Sequence, residues 1–256
     1  MGMGGIRAAA ARNGVGATQE FRWRGGEITR FEGFSDAVLA FAVTLLVVSL
    51  EVPRTFDELL HSMRGFAAFA ICFTMLVWVW YWQYLFFRRY GLQDNLTLVL
   101  NAALLFVVLF YVYPLKFLFT LVVNQFTGSE MHVRNPDGGL VPIITAQQGP
   151  TLMLIYGAGF VAIFSLFALL FLHAYRKRTV LELNPAEILD TRQSIQSALL
   201  VGSVGLLSMA IVLLGGERAV ALSGYSYFLL GPVSAWHGAA MGRRRRSLLA
   251  ARKSTR

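Results

Sequence analysis

Residues 30–50 read RFEGFSDAVLAFAVTLLVVSL, a short charged segment that runs directly into a long apolar one. The apolar part has the composition of a membrane-spanning helix. Arg30 and Asp36 stand at its edge, where a charge is costly to bury in lipid. We therefore expect these two residues to serve in pairing, in anchoring or in an ion path.

The composition of the whole chain is that of a membrane protein. Of 256 residues, 56% are hydrophobic and only 14% are charged, and the mean hydropathy is +0.56. A soluble domain has about 25% charged residues. The 20 Phe, nine Tyr and five Trp fit a lipid-facing surface with aromatic belts better than the polar, basic face of a nucleic-acid binder. The single cysteine, Cys72, excludes a disulfide within the chain.

Six apolar segments are long enough to cross about 30 Å of hydrocarbon, which takes about 20 residues. The sequence therefore predicts an all-α, polytopic membrane protein with six transmembrane helices in residues 30–242. An N-terminal arm of residues 1–29, which we expect to be flexible, precedes this domain, and a basic tail of residues 243–256 follows it. The six predicted spans are Phe31–Val52, Gly65–Phe87, Leu96–Val122, Thr151–Tyr175, Gln193–Leu214 and Ala219–Met241.

The distribution of positive charge predicts the orientation. With these spans, both termini lie on one side together with 18 of the Lys and Arg residues, and four fall on the other side. Because loops rich in Lys and Arg stay in the cytoplasm, we predict a plasma-membrane protein with both termini cytoplasmic. The same distribution accounts for the net charge of +9 without a nucleic-acid partner. We expect the basic tail to touch anionic lipid, and Lys116, inside the third span, to be a snorkelling anchor.

Local signals predict the connections. Asn184-Pro185-Ala186-Glu187 has the pattern of a capping box, so the fifth helix should begin there. The longest loop, residues 124–150, should be an irregular external cap. Gly231-Pro232 should kink the sixth span. Small residues in spans four and five should let those helices approach closely: they are Gly157, Gly159, Gly202, Ser203, Gly205 and Ser208.

Enzyme and metal motifs do not occur in the sequence. There is no phosphate-binding loop, no H-E-x-x-H, no G-x-S-x-G and no Rossmann glycine pattern, so we predict no enzymatic activity and no cofactor. The four His are scattered, which argues against a metal cluster. The T-V-G-Y-G filter of tetrameric potassium channels and the Arg ladder of voltage sensors are also missing. If the protein is a channel, side chains must form its pore.

The second predicted span ends in an aromatic cluster followed by Arg88 and Arg89. One interpretation is an aromatic belt at the inner interface, with arginines that snorkel. Another is that one tryptophan packs under the motif of residues 30–36 and holds the first helix. Both can hold for different members of the cluster, which are Trp78, Trp80, Tyr81, Trp82, Tyr84, Phe86 and Phe87.

Helical geometry gives a candidate pore lining. At about 100° per residue, one apolar stripe lies within about 60° of Phe41, whereas Asp36 lies about 140° away. A ring of these apolar side chains from several subunits would make a hydrophobic constriction, with Thr44 as its polar member. Periodicity alone is a weak argument for a pore, since spanning helices are apolar all round. The members of the stripe are Phe34, Ala37, Phe41, Thr44, Leu45 and Val48.

The pattern Arg30-x-x-x-Phe34-Ser35-Asp36, with the apolar run after it, resembles the first helix of the transmembrane protein 175 family of potassium channels. The hallmark of that family is R-x-x-x-F-S-D. The similarity continues through RRYGLQDN at 88–95, LLF at 104–106 and FYVYPLK at 110–116. Over spans four to six the two agree in number and length.

This resemblance implies a six-helix subunit, four copies of which surround a central pore lined by the first helix, with potassium as the permeant ion. It also implies two sets of site residues. The bottleneck set is Phe41, Leu45 and Val48, with Thr44 beside it. The set that holds the first helix to its neighbours is Arg30, Phe34, Ser35 and Asp36.

Two departures from the family pattern keep other functions open. Members usually have Ile or Leu where this chain has Phe41, and often have His where it has Gln83. A bulkier ring at the bottleneck could close the pore, so one alternative is a non-conducting scaffold of the same fold. Another alternative is an ion transporter, which would need ionisable residues at mid-membrane, and the predicted spans contain few of them.

Overall fold

The long apolar runs form long α-helices, because a chain in lipid must satisfy its backbone polar groups within each segment. The computed structural model describes residues 21–48, 55–56, 59–60, 63, 65–127, 132–134 and 139–254, with the backbone alone for 48, 126–127, 132–134 and 244–254. Its elements are α1 (Arg30–Val48), α2 (Phe66–Tyr90), α3 (Asn95–Thr127), β1 (His132–Arg134), β2 (Leu140–Pro142), α4 (Gly149–Arg176), α5 (Pro185–Gly215), α6 (Val220–Ser226) and α7 (Leu230–Ser254).

Capping boxes begin α1 and α5. At α1, the Glu32 N–H donates to Thr29 Oγ1 at 3.1 Å, and the Thr29 N–H donates to the Glu32 carboxylate at 3.2 Å. At α5, Asn184 and Glu187 exchange the same two bonds, both at 2.9 Å, with Pro185 in the first turn. Each box satisfies N–H groups that a first helical turn leaves unpaired. The capping box predicted at residues 184–187 is confirmed.

Four helical segments of the described chain are long and apolar enough to cross a membrane. The last of them has 59 residues, about three times the length of about 20 residues that one crossing needs. The segment α1 is shorter, with 19 helical residues, and the predicted continuation of its span through residues 49–52 lies outside the described residues. The four segments are Phe66–Tyr90, Asn95–Gln125, Ala146–Arg176 and Pro185–Arg243.

The 59-residue segment turns back on itself at the end of α5. Gly216 has a φ of 60° and a ψ of −142°, a backbone conformation that glycine adopts easily and other residues do not. Beyond this turn the chain returns to α5, where Ser223 Oγ donates to the Ser208 carbonyl at 3.1 Å. The two serine hydroxyls lie 2.7 Å apart and are fully buried.

The returning part differs from the single kinked span predicted for Ala219–Met241. It consists of α6 and α7, separated by a 3-10 turn at Tyr227–Leu229. The break therefore precedes Gly231-Pro232, where the kink was expected. Pro232 lies in the first turn of α7, where its missing N–H costs no hydrogen bond.

The segment between α3 and α4 contains regular structure where an irregular cap was predicted. There β1 and β2 pair antiparallel, with Val133 opposite Val141. A 3-10 turn at Ala146–Gln148 then leads into α4. Residues 128–131 and 135–138 of this segment lie outside the described residues.

Residues 21–29 pack against the end of α2. The Arg24 and Gly25 N–H groups donate to the Arg88 carbonyl at 3.1 and 3.2 Å. Phe21 is buried and meets Tyr90 edge to face, with ring centroids 5.8 Å apart. This differs from the flexible arm predicted for residues 1–29, because Phe21 gives the segment an apolar side chain to bury. Residues 1–20 lie outside the described residues.

The core is centred on the contact between α4 and α5, which glycines bring close together. A Cβ on Gly157 would lie 2.3 Å from Met209 Cγ and 3.4 Å from the Gly205 carbonyl oxygen. A Cβ on Gly205 would lie 2.9 Å from Val161 Cγ2. The close approach predicted for these two glycines is confirmed. On the α2 side, Trp82 packs against the rings of Phe164, Phe167 and Phe171.

Candidate ion pathway on the first helix

In the single chain, α1 buries one face and exposes the other. At about 100° per residue, the buried side chains fall within an arc of about 80°. The exposed side chains occupy the opposite half of the helix. The buried set is Glu32, Ser35, Leu39, Ala42 and Leu46, and the exposed set is Arg30, Gly33, Phe34, Asp36, Ala37, Ala40, Phe41, Thr44, Leu45 and Val47.

The predicted apolar stripe lies within the exposed half. Phe41 is 57% exposed and Leu45 is 37% exposed, although both are large apolar side chains. Phe34, Ala37 and Thr44 are exposed as well. The side chain of Val48, at the end of α1, lies outside the described part of the structure. An apolar stripe left uncovered by its own chain indicates a contact surface for lipid or for other subunits.

Thr44 supplies the polar group of the stripe. Its hydroxyl donates to the Ala40 carbonyl of the preceding turn at 3.0 Å. The hydroxyl proton is therefore engaged within the helix, while the oxygen keeps lone pairs that can accept a hydrogen bond or face a cation. The stripe itself carries no charged side chain among its described members.

Asp36 is held by a tryptophan of α2. Trp80 Nε1 donates to Asp36 Oδ1 at 2.9 Å, and the Trp80 ring stacks on Tyr84 with centroids 5.6 Å apart. The predicted contact between a tryptophan and the motif is confirmed. The bond directs the carboxylate toward α2 and away from the stripe.

Ser35 connects α1 to α2 and α3 through buried amides. Its hydroxyl donates to the Phe31 carbonyl at 3.0 Å and accepts from Asn101 Nδ2 at 2.8 Å. Asn101 Oδ1 in turn accepts from Gln83 Nε2. All three polar side chains are at most 3% exposed, so the network fixes the rotation of α1 against its two neighbours.

The other two motif residues do not join this network. Phe34 is 59% exposed and Arg30 is exposed at the start of α1. Within the described residues, the Arg30 side chain makes no hydrogen bond or ion pair. The motif is thus divided: Ser35 and Asp36 hold α1 inside its own chain, while Arg30 and Phe34 point outward.

The described part of the stripe offers no ligand set for a metal ion. In the part of the chain that the structure describes, no three His, Cys, Asp or Glu side chains gather at one place. The stripe on α1 is an uncharged, mainly apolar surface with one hydroxyl, that of Thr44. Such a surface can admit or exclude ions through its width and its wetting.

Comparison with known proteins identifies the family. A potassium channel of Marivirga tractuosa is 43% identical over 238 residues, which cover 92% of this chain and 96% of the relative. The family model described as endosomal/lysosomal potassium channel TMEM175 matches residues 30–111, from the first residue of α1 into the middle of α3. This chain belongs to the TMEM175 family. A potassium channel of Chamaesiphon minutus is 30% identical over 96 residues, 34% of this chain and 47% of the relative.

Two solved TMEM175 structures are similar to this one. The crystal structure of the potassium channel MtTMEM175, a Thr-to-Ala variant in complex with a nanobody-MBP fusion protein, has a TM-score of 0.76 at 42% identity and covers 90% of this chain and 100% of that one. A lysosomal potassium-selective TMEM175 homolog from Chamaesiphon minutus has a TM-score of 0.51 at 21% identity, covering 83% and 96%. The second likeness concerns the fold alone.

Membership in the TMEM175 family confirms several predictions made from the sequence. The family resemblance inferred from R-x-x-x-F-S-D is confirmed. The family and its relatives are ion channels and not enzymes, so the prediction of no enzymatic activity is confirmed. The family and the apolar helices together identify a membrane protein.

The sequence analysis did not predict the role of Asn101, whose amide connects α1 to α2 in this TMEM175 member. Asn101 is fully buried and joins Ser35 to Gln83. A signal existed, because an asparagine within an otherwise apolar membrane span is expensive and needs a partner. Gln83 departs from the family pattern, and its amide donates a hydrogen bond to Asn101 Oδ1 in this protein.

Proposed function

We propose that this protein is a potassium channel that works as a homotetramer, with α1 of each subunit lining a central pore. The observation that carries the proposal is the uncovered apolar stripe with Phe41 and Leu45 on a helix whose opposite face is fixed by buried hydrogen bonds. Family membership and relatives named as potassium channels support it.

The pore conducts passively through a hydrophobic constriction. Rings of Phe41, Leu45 and Val48 narrow the path, and the Thr44 hydroxyls provide the polar contact beside them. An apolar constriction gates by losing and regaining its water, so conduction depends on the width and wetting of these rings. Potassium is the permeant ion, and no cofactor takes part.

Arg30 and Phe34 form contacts between subunits. Both side chains are exposed in the single chain and start the helix that lines the pore. In the tetramer they contact the neighbouring subunit, while Ser35 and Asp36 hold α1 within its own subunit. The motif therefore sets the position of α1 on both sides and leaves the stripe free to face the axis.

The channel lies in the plasma membrane, crosses it six times and keeps both termini in the cytoplasm. Three of the four basic segments that would share the cytoplasmic side meet at one end of the molecule: the segment before α1, the α2–α3 connection and the α4–α5 connection. There the Arg24 N–H binds the Arg88 carbonyl, and the Arg24 side chain reaches the carbonyls of Leu181 and Glu182 in the α4–α5 connection. Positive charge at this end favours the cytoplasmic side, and the basic tail after Gly242 touches anionic lipid.

The test is conduction by purified protein in a planar bilayer with potassium and sodium on opposite sides. We expect a potassium-selective reversal potential in the native protein. Replacing the ring with Phe41→Ala widens the constriction, so the potassium current should increase.

Val47→Ala is the matched control for Phe41→Ala. Val47 is 48% exposed on the same helix but lies about 120° from Phe41, so its truncation should leave the current unchanged. Absence of current in both the native tetramer and the folded Phe41→Ala tetramer would contradict the proposal and favour a non-conducting scaffold.

A further inference from the structure

A cleft of about 380 Å³ lies between α2, α4, α5 and α7, outside the pore-lining face of α1. Its volume is in the range of ligand sites and far above the space that one water needs. One part of its wall is aromatic and aliphatic, from Trp82, Leu85 and Phe171. The polar part consists of Arg89, Asp190, Gln193, Ser194 and Ser197.

Two glycines of α7 keep the cleft open. Gly238 and Gly242 both line it, and they lie four residues apart, on one face of the helix. A Cβ built on either glycine would have no heavy atom within 4 Å. Close helix packing therefore does not require glycine here, in contrast to Gly157 and Gly205, and larger side chains would project into open space.

The polar part of the cleft contains Arg89, whose guanidinium has further N–H donors available for a ligand. Arg89 lies in the last turn of α2, and its Nη1 donates to Ser194 Oγ at 3.3 Å. Its guanidinium carbon lies 5.1 Å from the centre of the Phe21 ring. Within the described residues, no carboxylate forms an ion pair with Arg89. A guanidinium has five N–H donors, so it can still bind a phosphate group through two of them.

The position of the cleft fits the headgroup layer of a membrane. Arg89 ends α2, and Asp190 lies in the second turn of α5, at the end of the molecule where Arg24 meets Arg88. Trp82 lies two turns deeper along α2, as an interfacial aromatic does. Basic pockets between spanning helices at this level are known to hold the phosphate groups of lipid headgroups.

We propose that this cleft binds the headgroup of a phosphatidylethanolamine lipid. The phosphate accepts hydrogen bonds from the remaining N–H groups of Arg89, and the ammonium group donates to Asp190. Ser194 takes no part as a donor, because its hydroxyl already donates to the Asp190 carbonyl at 3.0 Å and accepts from Arg89. A carboxylate has about four acceptor positions, so Asp190 can accept from an ammonium group in addition to other partners. A headgroup without an ammonium group cannot make this contact with Asp190, so phosphatidylethanolamine is preferred.

The test is lipid retention by the purified full-length protein, measured by native mass spectrometry after incubation with an equimolar mixture of phosphatidylethanolamine and phosphatidylglycerol. We expect preferential retention of phosphatidylethanolamine. Arg89→Gln should lower this retention about tenfold or more, since a hydrogen bond to a charged group is lost. Gly238→Leu should abolish it by filling the cleft.

Gly231→Leu is the matched control. Gly231 is on the same helix and also has no heavy atom within 4 Å of its Cβ position, but it does not line the cleft. This variant should retain the lipid as the native protein does. Melting temperatures of all variants in detergent separate loss of the site from loss of the fold.

Three results would overturn the proposal. The first is equal retention of the two lipids by the native protein. The second is undiminished phosphatidylethanolamine in a folded Gly238→Leu variant. The third is equally tight binding of soluble O-phosphoethanolamine, which would assign the cleft to a free phosphorylated amine and not to a lipid. None of these readouts depends on ion conduction, so failure here and failure of the channel proposal are distinguishable.

Discussion

Asp36 helps to hold α1 in place through its hydrogen bond from the Trp80 indole. Asp36 lies on the exposed half of α1, about 140° from Phe41. The 2.9 Å hydrogen bond from Trp80 Nε1 directs its carboxylate toward α2. Ser35, one residue earlier, is fixed by Asn101 at 2.8 Å. Two adjacent residues thus tie α1 to two different helices, which restrains both its rotation and its tilt.

We expect Asp36→Ala to weaken assembly more than ion discrimination. Loss of a partly exposed hydrogen bond to a charged group costs about 1 kcal/mol. The fraction of tetramer and its melting temperature should fall, while the ratio of potassium to sodium permeability in the remaining channels stays the same. A double-mutant cycle with Trp80→Phe should show that the two changes are not additive. A fully assembled Asp36→Ala tetramer without ion discrimination would contradict this structural role.

At the scale of elements, a buried ion pair ties the segment before α1 to the α4–α5 connection. Arg24 Nη2 and Glu187 Oε2 lie 2.8 Å apart, and their side chains are 14% and 1% exposed. Arg24 Nε also donates to the Leu181 carbonyl at 2.8 Å, and the Glu187 carboxylate accepts from the Arg22 N–H at 2.8 Å. The start of α1 is thereby anchored to the second half of the chain.

We expect Arg24→Gln to destabilise the protein by about 3 kcal/mol, because it leaves a buried carboxylate without its charged partner. The melting temperature in detergent should fall accordingly. Arg22→Gln is the matched control, since only the backbone N–H of Arg22 binds Glu187 and its side chain is exposed. Equal melting temperatures for Arg24→Gln and Arg22→Gln would contradict the anchoring role of the pair.

A second polar cluster joins the α2–α3 connection to the end of α4. Burial alone would raise the pKa of Asp94, but hydrogen bonds from Thr97, Lys177 and His173 lower it to about 2. His173 Nε2 lies 2.8 Å and Lys177 Nζ 3.2 Å from Asp94 Oδ2. The cluster therefore favours the folded state while Asp94 is ionised.

This cluster predicts how stability depends on acid. Because the pKa of Asp94 is lower in the folded protein than its ordinary value of 3.8, its contribution is complete above about pH 4 and is lost as the pH falls through about 2. The difference in melting temperature between the native protein and Asp94→Asn should shrink as the pH falls from 5 to 3. A difference that is unchanged at pH 3 would contradict the assignment.

The helices could be predicted from local sequence signals, whereas the long-range contacts between them could not. The length of each apolar run and the Asn184–Glu187 capping box depend on neighbouring residues only, so α2 to α5 follow from the sequence. The stripe around Phe41 follows from helical geometry. The contact between Ser35 and Asn101, 66 residues apart, depends on which helix faces meet, and no local pattern states that. The division of the sixth span depends likewise on how its serines meet α5.

At the scale of the whole molecule, one chain leaves an apolar surface that it does not cover itself. Phe34, Phe41 and Leu45 are all more than a third exposed on a helix whose other face is packed. A pore lined by α1 needs these side chains from several subunits to converge on one axis. In such a pore, residues of the stripe lie close to the same residues of the other subunits, and exposed residues off the stripe do not.

Single-cysteine variants test this requirement most directly. Cys72 is fully buried and is the only cysteine, so a Cys72→Ala background allows one thiol per subunit to be placed at will. We predict that cadmium ions block the potassium current of Leu45→Cys, because thiols that meet at the axis bind a soft cation together. Val47→Cys, exposed on the same helix but off the stripe, should conduct unblocked. Block of Val47→Cys with an insensitive Leu45→Cys would contradict a pore lined by this face of α1.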